Sequence, residues 1–202
     1  MKSKFTLLAL FALAAAIVVG VPAFADILGT AHDFSDESWS NNEICSPCHT
    51  PHAASSDAAL WARHALSSQG PYTLWPDSEL GAESLTCLSC HDGTVAVGVN
   101  GTGPLIGAID DDLDIGTDLT NDHPVGVAYS TSTSGTRWVV PTPNSRTTSL
   151  QNLGDMLIYL DEAGTDYRVE CASCHAVHGA GFDDFLRADN EGSAVCLSCH
   201  VR

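Results

Sequence analysis

Apolar residues are concentrated at the start of the chain. Residues 5–21 form a nearly unbroken apolar run behind Lys2 and Lys4, and Ala23-Phe24-Ala25 follows. A charged lead, an apolar stretch and a small-x-small site in that order make a secretory signal peptide over residues 1–25, removed after Ala25. A membrane anchor is the competing reading, but the run falls short of the roughly 20 residues a spanning helix needs. No later segment is apolar enough to cross a bilayer. The mature chain, residues 26–202, is therefore expected to be exported and soluble, with no membrane span.

Past the signal the pattern is short-ranged. A stretch over 92–170 is rich in Gly, Thr, Ser and Asp. Within it, 95–99, 125–129 and 137–140 predict short strands bounded by Gly, Pro and Asn turn signals. The apolar spacing over 150–160 fits a helix or a strand equally well. Residues 58–67 predict a short helix carrying Trp61 and His64. Pro124 pushes His123 towards an extended backbone. So little predicted regular structure leaves most of an apolar core to be supplied by something other than the chain.

The cysteines say what supplies it. The chain has eight, and they form four pairs, each followed by a histidine. The motifs are Cys45-Ser-Pro-Cys48-His49, Cys87-Leu-Ser-Cys90-His91, Cys171-Ala-Ser-Cys174-His175 and Cys196-Leu-Ser-Cys199-His200. Cys-x-x-Cys-His is the attachment signature of c-type haem. Two thiols add to the two vinyl groups on one porphyrin edge, and one turn of chain spans that edge. The next residue points back over the ring, so its imidazole reaches the iron as proximal ligand. Tetrathiolate zinc sites, four disulfides or thioredoxin-like redox pairs compete for the same cysteines. None of these explains a histidine after every pair. The cofactor expected is four haem c groups, with no cysteine left for a structural disulfide.

Four of the nine histidines are proximal, which leaves His32, His52, His64, His123 and His178 as candidate distal ligands. Methionine is nearly excluded, because Met1 leaves with the signal and only Met156 remains. A single free histidine is often an ordinary surface or core residue, but five match the demand of four bis-histidine haems with one to spare. His52 and His178 each lie three residues after a proximal histidine. On a helical turn such neighbours have Cβ atoms about 5–6 Å apart. Trans ligands on one iron need roughly 12 Å, given metal–nitrogen bonds of about 2 Å and two ring lengths. His52 is therefore expected to serve a haem other than that of His49, and His178 one other than that of His175. Each pair would strap two haems edge to edge.

The motifs also repeat. Residues 45–91 read Cys-x-x-Cys-His-x-x-His, a spacer, then Cys-Leu-Ser-Cys-His, and 171–200 read the same way with a shorter spacer. This predicts a di-haem module over 26–100, a central insert over 101–165 and a di-haem module over 166–202, in one domain. The expected fold is a small, mostly irregular α+β multihaem cytochrome. Its chain wraps a stacked four-haem array, with short helices at the motifs and a few short strands in the insert.

Charge narrows the partners. With Lys2 and Lys4 gone, six Arg face 25 acidic residues, so the formal charge of −17 becomes −19. Such a surface repels nucleic acid and anionic lipid, and favours cationic partners, metal ions or positively charged mineral, although solubility alone would explain it. Asp110, Asp112 and Asp114 alternate before Gly116, but the glycine is one place late for a calcium loop and Asn121 stands where a glutamate is needed. A solvated acidic loop is the reading there. Asn100-Gly-Thr102 is a glycosylation sequon.

His-Asp-Phe-Ser at 32–35, the first motif with Thr50-Pro51-His52, Leu-Trp-Ala-Arg at 60–63, Cys-Leu-Ser-Cys-His-Asp-Gly-Thr at 87–94, Asp-His-Pro-Val-Gly at 122–126 and the closing pair of motifs together resemble the multihaem cytochromes of metal-respiring microbes. With four haems the chain is most similar to the OmcE-type extracellular tetrahaem cytochromes that polymerise into filaments. The resemblance implies that every haem is bis-His ligated and stacked in a continuous chain, and that the subunits join head to tail as a homopolymer. It also implies that one distal histidine comes from the neighbouring subunit, for which His32 is the candidate. In that family Leu-Trp is followed by Asn and then Arg or His. Here Ala62 and Arg63 take those places and His64 falls one later. The implied distal set is His32, His52, His123 and His178, with His64 spare.

Three functions remain in view: an extracellular or cell-surface electron conductor passing charge to other cytochromes or to mineral and metal acceptors, a periplasmic monomeric shuttle, and a multihaem oxidoreductase. An enzyme needs an open iron position, against which five free histidines weigh, so an electron carrier is expected rather than an enzyme. The acid-denatured exported protein should have the mass of residues 26–202 plus four haem groups, and a bare-polypeptide mass would overturn this reading.

Overall fold

Regular structure follows the haem motifs and one central hairpin. The computed structural model describes residues 27–50, 52, 60–62, 72–98, 103–130, 137–179 and 181–201. The predicted signal peptide, His64, most of the 58–67 segment and the Asn100 sequon lie outside the described residues.

The described helices are α1 (Ala82–His91), α2 (Ile106–Ile109), α3 (Cys171–Cys174) and α4 (Ala194–Cys199). Three of them carry motifs. Helix α1 runs through its whole motif, whereas α3 and α4 stop at the second cysteine and leave His175 and His200 extended. The first motif is a single turn closed by the His49 N–H donating to the Cys45 carbonyl at 2.8 Å. The same bond closes the third and fourth motifs, His175 to Cys171 at 3.1 Å and His200 to Cys196 at 2.9 Å. An i to i−4 bond is one helical turn, and it sets the two thiols on the stretch of backbone that spans a porphyrin edge.

The insert and the residues after it build a five-stranded antiparallel sheet. Its strands are β1 (Val127–Ala128), β2 (Thr142–Pro143), β3 (Leu150–Leu153), β4 (Met156–Leu160) and β5 (Tyr167–Val169), in the order β1-β5-β4-β3-β2. The 150–160 segment is thus two strands. Leu153 pairs with Met156, and the turn between them puts Gly154 at φ +63°, where a two-residue hairpin wants glycine. Leu153, Met156 and Ile158 are fully buried and pack with Tyr129 and Val195, so the sheet sits against the last motif helix. Pro143 lies on an edge strand, where its missing N–H costs no ladder bond. A second, separate cluster of Trp61, Leu80, Leu85, Leu88 and Leu119 packs around α1.

Several sequence expectations need correction. The predicted 125–129 strand is present as β1, with flanking bonds from Gly126 N–H to Val169 O and from Tyr129 N–H to Tyr167 O. Residues 95–98 form no strand; Val97 is buried, but its N–H donates to Pro104 O, outside any ladder. The 137–140 segment does not join the sheet. Trp138 bridges His200 and the Val139 N–H donates to Cys199 O, strapping the segment to the fourth motif. Leu60–Ala62 is not helical, because Leu60 has φ +57° and Trp61 bridges His49. In each case a long-range partner outweighs local propensity.

Gly126 joins the two halves. Its carbonyl accepts from Glu79 N–H and from Arg168 Nη1, and it has φ +72°. A Cβ there would stand 2.7 Å from Glu79 O. Gly164 has a similar φ of +70° with open space around it. Gly164→Ala should therefore cost about 1–2 kcal/mol for left-handed backbone alone. Gly126→Ala should cost visibly more, read as a larger drop in the urea midpoint; equal drops would refute the clash.

Candidate functional site

Two of the four histidines that follow the cysteine pairs are oriented by main chain. The Nδ1 of His91 is 2.9 Å from Leu113 O, and the Nδ1 of His175 is 2.7 Å from Asp184 O. A carbonyl only accepts, so in each ring the proton sits on Nδ1 and the Nε2 lone pair is free. This is the second contact that fixes tautomer and direction in metal-ligating histidines. Leu113 and Ile115, both exposed, flank His91, and the Ile115 N–H donates to His91 O. The edge of that imidazole is thus bordered by apolar surface that a porphyrin face would cover.

Three of the free histidines stand against proximal ones. Ring centres are 6.0 Å apart for His49 and His178, 6.1 Å for His91 and His32, and 6.4 Å for His200 and His123. Two imidazoles on opposite sides of one iron have ring centres about 6.3 Å apart, from two metal–nitrogen bonds of about 2.0 Å and two ring radii of about 1.15 Å. The three observed spacings fall within a few tenths of an ångström of that value, which is the separation that ligation of one iron by both rings would require.

Two sequence arguments change in detail. His49 and His175 are not on helical turns with His52 and His178; each is held in a β-bridge, His49 to Trp61 and His175 to Leu186. The helical spacing therefore does not govern these pairs, and the direct observation takes its place: the His178 ring lies against His49. His32 does not point away from its own subunit. It packs between His91 and Phe185, at 6.1 and 4.7 Å between ring centres. Burial, with His91 and His178 nearby, pulls its pKa down to about 4. It therefore stays in the neutral form that binds metal. His52 is exposed, and among the described residues no imidazole makes a ring contact with His175.

None of the eight cysteines is in a disulfide. Cys87 and Cys171 share a hydrogen bond. Donating it, then burial, pushes Cys87 well up, while accepting it brings Cys171 down to about 7. Burial and the nearby Cys174 thiol push Cys199 up to about 11. The attachment edges of the second, third and fourth motifs therefore adjoin.

Other side chains at the site have weak sequence signals or none. Trp138 packs against His200 with 4.6 Å between ring centres and the planes tilted by 43°. The Tyr129 hydroxyl donates towards Val139 O and Cys199 O, at 2.8 and 3.1 Å, tying the 137–140 strap to the last motif. Glu170, just ahead of Cys171, is buried and accepts from the Ser84 hydroxyl at 2.5 Å and the Gly81 N–H at 3.1 Å. The acidic loop spends its side chains on its own backbone: Asp110 accepts from Asp112 N–H and Asp114 from Gly116 N–H.

Residues 166–202 match the doubled CXXCH motif family. No curated protein matches the chain. The match covers the third and fourth motifs; such doubled motifs imply covalently bound haem c and suggest electron transfer.

Proposed function

We propose that the protein is a tetrahaem electron carrier in which every iron is bis-His ligated, exported to the cell surface and assembled head to tail into a conducting filament. The observation that carries the bis-His reading is the recurrence of one ring spacing, 6.0–6.4 Å, in three pairs drawn from different parts of the chain. When bound, haem c supplies the one-electron couple of its iron. The chain's part is to hold the groups in place and set their potentials. Cys45 and Cys48 with His49 and His178 would hold the first. Cys87 and Cys90 with His91 and His32 would hold the second. Cys196 and Cys199 with His200 and His123 would hold the fourth.

Cys171, Cys174 and His175 would hold the third, with His52 as its distal ligand. In a filament the exposed His52 of the neighbouring subunit takes this place, a role for which His32, engaged with His91, is no longer suited. Adjoining cysteines of the second, third and fourth motifs would bring the edges of those haems together, and the His178 strap would bring the first to the third. Bis-His ligation without methionine and a strongly acidic chain both favour low potentials. A monomeric periplasmic shuttle is the second reading, favoured by the closure of three ligand pairs inside one chain.

His178→Met should raise one of four midpoint potentials and leave three nearly unchanged, because methionine raises potential relative to histidine. A redox titration with all four unmoved would sink the His178 assignment. Electron micrographs of material shed from cells should show thin unbranched fibres; the same material eluting solely as monomer would leave the shuttle instead.

A further inference from the structure

Glu170 is a carboxyl group placed where a surface residue would not be. It is 2 % exposed, between α1 and α3. The Gly81 N–H and the Ser84 hydroxyl each donate to one of its oxygens. Ser84 also accepts from the Cys171 N–H at 2.9 Å, so its single proton is committed to Glu170. No cation answers the charge: the ion pairs among the described residues are those of Arg168 with Glu79 and with Asp161. A buried carboxylate without a counter-ion is costly, and protonation relieves that cost.

Its position ties it to both flanking motifs. Glu170 adjoins Cys171 in sequence, Ser84 lies one turn before Cys87 on α1, and the Cys87 and Cys171 thiols touch. These sulfurs anchor haem and do not ligate iron, and the hydrogen bonds of Glu170 go to no histidine. A cavity of about 190 Å³ reaches Glu170; Glu79, Glu83, Tyr159, Asp161, Glu162 and Arg168 line it. Glu79 and Glu162 are exposed, which gives protons a route from solvent along carboxylates.

We propose that Glu170 is a proton-loading residue: it binds one solvent proton when the chain takes up an electron at the groups anchored by Cys87 and Cys171, and releases it on oxidation. In balance, one ferric iron gains an electron from a one-electron donor and becomes ferrous. The Glu170 carboxylate gains a proton through the cavity and becomes the acid, so local net charge is unchanged. Burial lifts this carboxyl to about 7, against the pull of the Ser84 and Gly81 hydrogen bonds, with the Glu83 charge adding to the rise. The smaller push from Cys171 disappears once its sulfur is a thioether. Other facing groups are Tyr159 and Asp161 from β4 and its end, Arg168 from β5, and Glu79 ahead of α1. Arg168 favours the charged form and the carboxylates favour the acid. Added electron density nearby raises proton affinity further, so uptake falls around and above neutral pH.

The proposal rests on the haem reading above, which the mass measurement tests separately. The test is redox titration of the haem-loaded protein from pH 6 to 9. A tenfold fall in proton concentration should lower at least one midpoint by up to ~59 mV. Glu170→Gln should flatten that dependence, while Asp155→Asn, in the exposed turn between β3 and β4 and outside the cavity, should leave it. A slope unchanged in Glu170→Gln overturns the proposal and leaves Glu170 as a mere clasp between α1 and α3. Should Glu170→Gln not mature, reduced-minus-oxidised infrared spectra of the native protein decide. A protonated-carboxyl band that appears on reduction at pH 8 and shifts in deuterium oxide supports it, and the absence of such a band refutes it.

Discussion

Two imidazoles share an iron only when their ring centres stand about 6.3 Å apart, and the backbone must deliver both rings to that separation from wherever they lie in sequence. Three pairs of rings in this chain stand close to that separation. His32 comes from a turn near the start of the described region, His123 from the loop ahead of β1, and His178 from the loop after α3. Each meets a proximal ring set by a motif turn elsewhere. The carbonyls of Leu113 and Asp184 complete the arrangement by holding Nδ1 protons and turning Nε2 outward.

Among the described residues the chain's own apolar packing reaches the edges of these pairs, through Trp61 beside His49 and Trp138 beside His200. Its two apolar clusters lie against α1 and against the sheet. Between them the joint is polar: Glu170 with Ser84 and Gly81, and Arg168 with Gly126 O and Glu79. A buried hydrogen-bonded joint specifies one geometry more sharply than apolar contact does, because each donor must find its acceptor. That suits a region where the attachment thiols of two motifs touch.

Much of the site was legible in the residues because its chemistry is local. A motif of five residues closes its own turn, and each proximal histidine is named by the cysteine before it. The pairing of distal with proximal rings was not legible, since no periodicity records which remote segment returns to which motif. The fold divides in the same way. Val127 and Ala128 read as strand and are strand, but 150–160 needed Gly154 to declare a hairpin, and 137–140 was drawn off the sheet by Tyr129 and Cys199. Glu170 stands beside Cys171 in plain sight. Its burial depends on Ser84, which lies far off in sequence on α1, so nothing local marked it.

The three ring pairs close very long loops: from residue 32 to 91, from 49 to 178 and from 123 to 200. Joined through iron, as proposed, each would act as a cross-link on the unfolded chain, the more effective the longer the loop. On the scale set by disulfides, a loop of about 100 residues removes roughly 4–5 kcal/mol of chain entropy. With that coordination in place the chain would draw much of its rigidity from iron, and the ligands proposed to serve its electrons would also be the knots that keep it from unravelling.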